Sequence, residues 1–153
     1  AQSHLRILSG LYGVLRPKDY MQAYRLEMGI ALKNSAGKNL YAYWQGQIAK
    51  HLNETAKKSK DEVLVNLASN EYFKSIDRKQ LDLEVITPVF KEYKNGQYKV
   101  ISFLAKKARG LMCAFLIQNR VETIEGIKAF SEAGYKYSEK DSTKKELVFL
   151  RSL

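Results

Sequence analysis

The dipeptide Asn95-Gly96 constrains this chain more than any other pair of residues. It lies between two β-rich runs in LEVITPVFKEYKNGQYKVISF, and both residues tolerate the positive φ that the central positions of a type I′ turn require. The two runs are therefore predicted to fold back on each other as an antiparallel hairpin. Every other element has to be compatible with the sheet that this hairpin begins.

Helical patterns surround it. From residue 38 to residue 57, Leu40, Tyr43, Trp44, Ile48 and Leu52 recur at three- and four-residue intervals, which predicts one amphipathic helix about five turns long. Lys57, Lys58 and Lys60 suit its C-terminal end, where the helix dipole favours cations. A second helix is expected from Phe103 to about Arg120, and another across TIEGIKAF. EVLVNLAS reads as a short buried strand, SNEYFKSI as a helical turn starting at Ser69, and GYKYSEKDSTKKELVFL as a second hairpin around a polar loop. Gly10, Gly13 and Pro17 make LSGLYGVLRPKD a turn or short strand that ends in a loop. Strands and helices are interspersed, so the expected class is α+β (mixed α/β), with hairpins of a mixed sheet packed against helices. No linker or repeat divides the 153 residues, which are expected to form a single domain, 1–153. AQSHLRILSG reads as the end of a helix running into an apolar segment, so the chain is expected to be a fragment of a longer domain.

Composition excludes several functions. One cysteine, Cys113, and two histidines, His4 and His51, give no metal-ligand spacing, so no metal and no cofactor are expected. No apolar run approaches the ~20 residues of a membrane span and no signal peptide is recognisable, so the expected compartment is the cytoplasm. The formal net charge is +10, and its distribution is uneven. Residues 1–60 carry 10 basic and 3 acidic side chains, and residues 91–128 carry 8 and 3. Two basic blocks of this kind favour polyanions, nucleic acid above all.

The second block contains SFLAKKARGLMCAF. On a helix, Leu104, Ala108, Leu111, Met112 and Phe115 form one apolar face, while Lys106, Arg109, Cys113 and Arg120 fall within about 60° of one another on the opposite side. Lys107 points elsewhere. No Asp or Glu lies within a turn of this cationic stripe, and Gly110 costs the helix about 1 kcal/mol unless close packing or close approach uses it. A phosphate seated on the stripe would account for both features. Ser69, Asn70 and Lys74 offer another anion site, at a helix start that follows a strand directly. Glu71 beside them is a candidate general acid or base. In YRLEMG, an extended backbone would put Arg25 and Glu27 on one face. Tyr12, Tyr24, Tyr72 and Tyr98 could stack bases or pack with a polar tip in water.

Taken together, LSGLYGVLRPKDYMQAYRLEMG, NLASNEYFKS, ISFLAKKARGLM and ELVFLR resemble the YaaA family of bacterial peroxide-stress proteins along essentially the whole chain. Members are longer and begin with a Ser-Pro-Ala-Lys-Thr motif that these residues lack, so the likeness is to roughly the C-terminal three fifths of the family pattern. The resemblance implies a YaaA-like fold that includes a helix-hairpin-helix element, protection against peroxide damage, lowered free intracellular iron, and sequence-nonspecific binding of double-stranded DNA through a basic cleft. For the helix-hairpin-helix, Gly10, Leu11 and Gly13 with Arg16 and Lys18 are the candidates, although two residues rather than one separate the glycines. The matched strings carry over Arg25, Glu27, Asn66, Ser69, Glu71, Lys74, Lys106, Lys107 and Arg109 as site residues. No catalytic role transfers. The alternative reading is an enzyme acting on a nucleotide or nucleic-acid base, with Glu27, Glu71 or Lys106 in the catalytic role. A monomer is expected.

Overall fold

A computed structural model describes residues 1–152 and groups them into two compact units. Unit 1 is built from residues 1–62 and 68–84, and unit 2 from residues 63–67 and from residue 85 onward.

Unit 1 opens with a turn at residues 2–4 rather than the expected helix end. Two short strands follow, β1 (Ile7–Ser9) and β2 (Gly13–Leu15), paired antiparallel with Ser9 opposite Gly13. The long helix expected over residues 38–57 is two helices, α1 (Leu40–Trp44) and α2 (Gln47–Ser59). The break is local and backbone-driven: Gln45 has ψ 125° and Gly46 has φ 79°, neither of which a continuous helix accepts. The apolar spacing is correct on either side of it. On α2, Ile48, Ala49, Leu52 and Ala56 are buried along one face. Lys57 and Lys58 occupy the last turn, and Lys60 closes the helix in the left-handed conformation (φ 62°) by donating its N–H to the Ala56 carbonyl. Asn53 on the same helix ties down the segment after residue 79. Its Nδ2 donates to the Gln80 carbonyl at 2.7 Å and its Oδ1 accepts from the Asp82 N–H at 3.0 Å. A single turn, α3 (Asn70–Phe73), starts at Ser69 as the sequence indicates.

Unit 2 is a mixed sheet with helices. Its strands are β3 (Val63–Val65), β4 (Glu84–Lys94), β5 (Gln97–Lys99), β6 (Lys136–Tyr137) and β7 (Glu146–Ser152), in the order β3-β4-β7-β6, with β5 paired to β4. Asn95 and Gly96 take φ 54° and 80° at the β4–β5 turn, so the feature that anchors the sequence reading is present. β6 and β7 pair antiparallel across the polar loop, whereas β4 and β7 run parallel, which makes the sheet mixed. The fold is α+β, as its patterning indicates. β3 differs from its expectation: it has three residues, with Val63 exposed and Leu64 and Val65 half-buried.

Along β4 the residues Ile86, Phe90 and Glu92 fall on the buried side of the two-residue period. Ile86 and Phe90 pack with Ala108 and Met112 of α4 (Ser102–Gln118), which also buries Ala105, and with Ile127 of α5 (Ile124–Lys128), which is capped by the Thr123 side chain. Phe130, Tyr135, Leu147 and Phe149 complete the core. Glu92 is an inward-facing charge at 1% exposure and is fully engaged. Arg151 donates to it through Nε at 2.7 Å and Nη2 at 3.1 Å, and the Tyr135 hydroxyl donates to Oε1. Burial with that carboxylate bond drives the Tyr135 phenol far above its ordinary range.

Candidate functional site

The sequence-selected residues fall in both units, and each group is described within its own. In unit 2, α4 carries Lys106 and Lys107 exposed and Arg109 half-buried. Arg109 donates from Nε to the Ala105 carbonyl at 3.2 Å, one helical turn back. Burial lowers its pKa, because a guanidinium taken out of water is worse solvated when charged. No carboxylate pairs with it among the described ion pairs. Arg120 does not belong to this row: α4 ends at Gln118, and Arg120 lies beyond the cap in the left-handed conformation (φ 50°), so the helical projection does not reach it. Gly110 also departs from expectation. A Cβ placed there meets nothing within 4 Å, so neither packing nor close approach explains the glycine. Cys113 is half-buried and burial pushes its thiol upward, away from thiolate reactivity. Asn66 is buried, with its N–H on the Ile86 carbonyl at 2.8 Å and its Nδ2 against Thr87 Oγ1 at 3.4 Å, so it braces the strand ends.

Unit 1 gathers more of the predicted residues. From Tyr24 to Met28 burial alternates, so Arg25 and Glu27 share the exposed side, and no ion pair joins them among the described residues. Glu71 is drawn toward the same segment: its Oε1 accepts the Gly29 N–H at 2.9 Å, and the Tyr41 hydroxyl donates to its carbonyl at 3.0 Å. Tyr72 sits within electrostatic reach of both carboxylates. Its phenol is raised first by burial, then by Tyr24, Glu71 and Glu27. Buried Ser9 bonds the Tyr24 hydroxyl and accepts the Tyr12 N–H at 3.0 Å. The result is a tyrosine-carboxylate cluster in which both glutamates act electrostatically on the Tyr72 phenol. The sequence flagged the two glutamates but missed Gly29 and Tyr41, which have no charge or spacing signal of their own.

Ser69 is an ordinary N-cap, accepting the Tyr72 N–H at 3.4 Å, and α3 is a single turn, so the expected anion site at its start is not formed that way. Asn70 and Lys74 instead line a cavity of about 420 Å³ with Phe73, Ile76 and Arg78, whose guanidinium lies 5.8 Å from the Phe73 ring centre.

The Gly10–Gly13 stretch is a turn between two strands, not between two helices, and both glycines are used internally. A Cβ at Gly10 would lie 2.4 Å from the Leu26 carbonyl oxygen, and one at Gly13 (φ 72°) would lie 2.7 Å from the Trp44 ring. The Trp44 indole N–H donates to the Gly10 carbonyl at 2.9 Å. Arg16 is paired with Asp19 at 2.8 Å, and Lys18 is exposed, with its backbone N–H on the Gln2 side chain. Arg6, His51 and Lys58, none of them among the expected site residues, line a second cavity with Arg16, of about 490 Å³.

Among the described residues no three His, Cys, Asp or Glu side chains gather as a metal site, and no helix is long and apolar enough to cross a membrane.

The model of the family described as peroxide stress protein YaaA matches residues 1–141. A UPF0246 protein of Alteromonas mediterranea is 60% identical over 152 residues, and one of Pseudoalteromonas translucida is 61% identical over 152 residues, each match covering 99% of this chain and 59% of the relative. One from Shewanella halifaxensis is 59% identical over 151 residues, with the same coverage. The chain spans about three fifths of the length of these relatives. It belongs to the YaaA peroxide stress protein family.

Proposed function

We propose, from that family membership, that the chain serves peroxide-stress protection by holding the phosphate backbone of duplex DNA along Lys106 and Arg109 on α4. One observation carries the reading: Arg109 is a half-buried guanidinium whose charge has no carboxylate partner among the described residues, beside the exposed Lys106. A polyanion supplies the missing counter-charge without any demand on base sequence. The protein would act in the cytoplasm, as a monomer, and its effect on free iron would be indirect. An anaerobic Fe(II) titration showing no stoichiometric binding is the outcome expected on that last point.

The decisive measurement is duplex affinity as a function of salt for Lys106→Ala combined with Arg109→Ala. The double variant should bind more weakly at every sequence tested, with the slope of log affinity against log salt reduced by about 2. An unchanged slope would remove α4 from the interface.

The tyrosine-carboxylate cluster favours a second reading, proton transfer on a nucleotide or base by Glu27 or Glu71. Turnover of such a substrate that Glu27→Gln abolishes, with DNA affinity unchanged, would establish it over the first.

A further inference from the structure

The β4–β5 hairpin carries an aromatic pair that neither the α4 reading nor the tyrosine-carboxylate cluster uses. Its turn at Asn95-Gly96 sets the register, and in that register Tyr93 lies directly opposite Tyr98. Glu92, one residue before, is buried on the core side. The two-residue period of a strand therefore puts Tyr93 on the other face of the sheet, and Tyr98 beside it. The two rings have centroids 5.2 Å apart and planes inclined at 61°. Both stay open to solvent, at 47% and 42% exposure. The Tyr98 hydroxyl also bonds the Ser152 hydroxyl on β7 at 3.3 Å, which steadies its ring.

Two phenols held in contact, with solvent access to both, have the arrangement that oxidative coupling of phenols requires. The tyrosine pair of unit 1 is less suited. Tyr12 and Tyr24 have centroids 5.6 Å apart, but Tyr24 is half-buried and its hydroxyl is bonded to Ser9. Tyr20 is fully exposed, so an oxidant reaches it as easily, but it stands in no ring pair among the described residues. Membership of a peroxide stress family supplies the class of oxidant.

We propose that Tyr93 and Tyr98 are a site of oxidative modification, at which peroxide-derived one-electron oxidants join the two rings as an intramolecular dityrosine. Each phenol loses one electron and its hydroxyl proton, giving a pair of phenoxyl radicals. These couple through a ring carbon ortho to each oxygen, and each ortho hydrogen then moves to its own oxygen and restores the phenol. In sum, one C–C bond replaces two C–H bonds. The two electrons and two protons released reduce one hydrogen peroxide to two waters.

The test treats the full chain with hydrogen peroxide and a haem peroxidase, isolates the monomer and digests it with trypsin. Cleavage after Lys91, Lys94 and Lys99 separates the tyrosines onto peptides 92–94 and 95–99. A species with their summed mass less two hydrogens reports the cross-link. It should be the main dityrosine of the monomer, and its yield per chain should be unchanged on about tenfold dilution, because the partner ring is supplied within the chain. Tyr98→Phe keeps the ring and should lower the monomer's dityrosine fluorescence about tenfold, while Tyr24→Phe should leave it unchanged. Duplex affinity plays no part in this readout, so the result is independent of the α4 reading. Monomer fluorescence that Tyr98→Phe does not move, or cross-linked peptides dominated by Tyr12 and Tyr24, would overturn the proposal. So would a yield that rises with protein concentration, which marks coupling between chains through residues such as Tyr20.

Discussion

Unit 2 is held by rings and unit 1 by close approaches. In unit 2 the Phe90 and Phe149 rings stack with centroids 5.4 Å apart, and Phe130 meets them edge-on at 5.9 and 5.6 Å. The buried apolar residues of unit 1 are Met28, Leu40, Ile48, Ala49, Leu52, Ala56 and Ile76, all aliphatic and two of them alanine. What unit 1 lacks in side-chain volume it replaces with backbone proximity: Gly10 lies against the Leu26 carbonyl, and Trp44 closes over Gly13. The difference teaches where each half is vulnerable. Unit 2 should suffer when volume is removed, and unit 1 when volume is added.

The largest effect is expected at Phe149, which is fully buried and touches three other rings. Phe149→Ala should cost about 3–5 kcal/mol, from lost transfer energy and the cavity left behind. Urea unfolding of the variant measures it. A loss below about 1 kcal/mol would mean that the aromatic cluster collapses around the gap, and the contrast between the units would fail.

Glycines test the other half. Gly10→Ala places a methyl group 2.4 Å from the Leu26 carbonyl oxygen, a backbone atom that cannot swing aside. The expected loss is about 1–3 kcal/mol. Gly110→Ala on α4 meets open space, so the same change should stabilise by about 0.5–1 kcal/mol through reduced backbone entropy. Thermal unfolding of the two variants should therefore shift in opposite directions. Shifts of the same sign would erase the distinction.

These glycines also show how much the sequence could convey. The Asn95-Gly96 turn, the Ser69 cap and the α4 span were legible because each rests on a local rule: positive φ, a side-chain oxygen at N-cap, a 3.6-residue period. The break at Gly46 was not legible, because apolar spacing continues across it and the helix interruption lies in the backbone angles of Gln45 and Gly46. Gly110 looked functional and stands in open space, while Gly10 and Gly13, proposed for phosphate contact, are spent on Leu26 and Trp44. For the site, charge type was visible and convergence was not. Glu27 and Glu71 are 44 positions apart in sequence, and nothing in either stretch announces that Tyr72 lies within reach of both. The His51, Thr55, Lys58 face of α2 was present as a spacing, but the cavity it lines forms only when Arg6 and Arg16 fold over it.

The smallest effects are those of pH, and they should separate the units by sign. In unit 1 the Arg16 guanidinium and backbone N–H hold the Asp19 carboxyl below its ordinary value. A lowered folded-state pKa contributes stability above the unfolded value near ~3.9, and that contribution disappears as pH falls through the folded value. Asp19 is half-buried but pairs with an exposed Arg16 side chain, so the contribution is slight and screened by salt. In unit 2, burial and the bond to Glu92 raise the Tyr135 phenol. A raised phenol pKa contributes stability below the unfolded value near ~10, and that contribution is lost as pH rises beyond it. Acid should therefore loosen the residue 16–19 loop first, and alkali the β4–β7 core. Amide exchange along the pH scale reads both, with Asp19→Asn expected to flatten the acid limb and Tyr135→Phe the alkaline one. If Tyr135→Phe left the alkaline limb as steep as before, Tyr135 would not be the group whose titration loosens the core of unit 2.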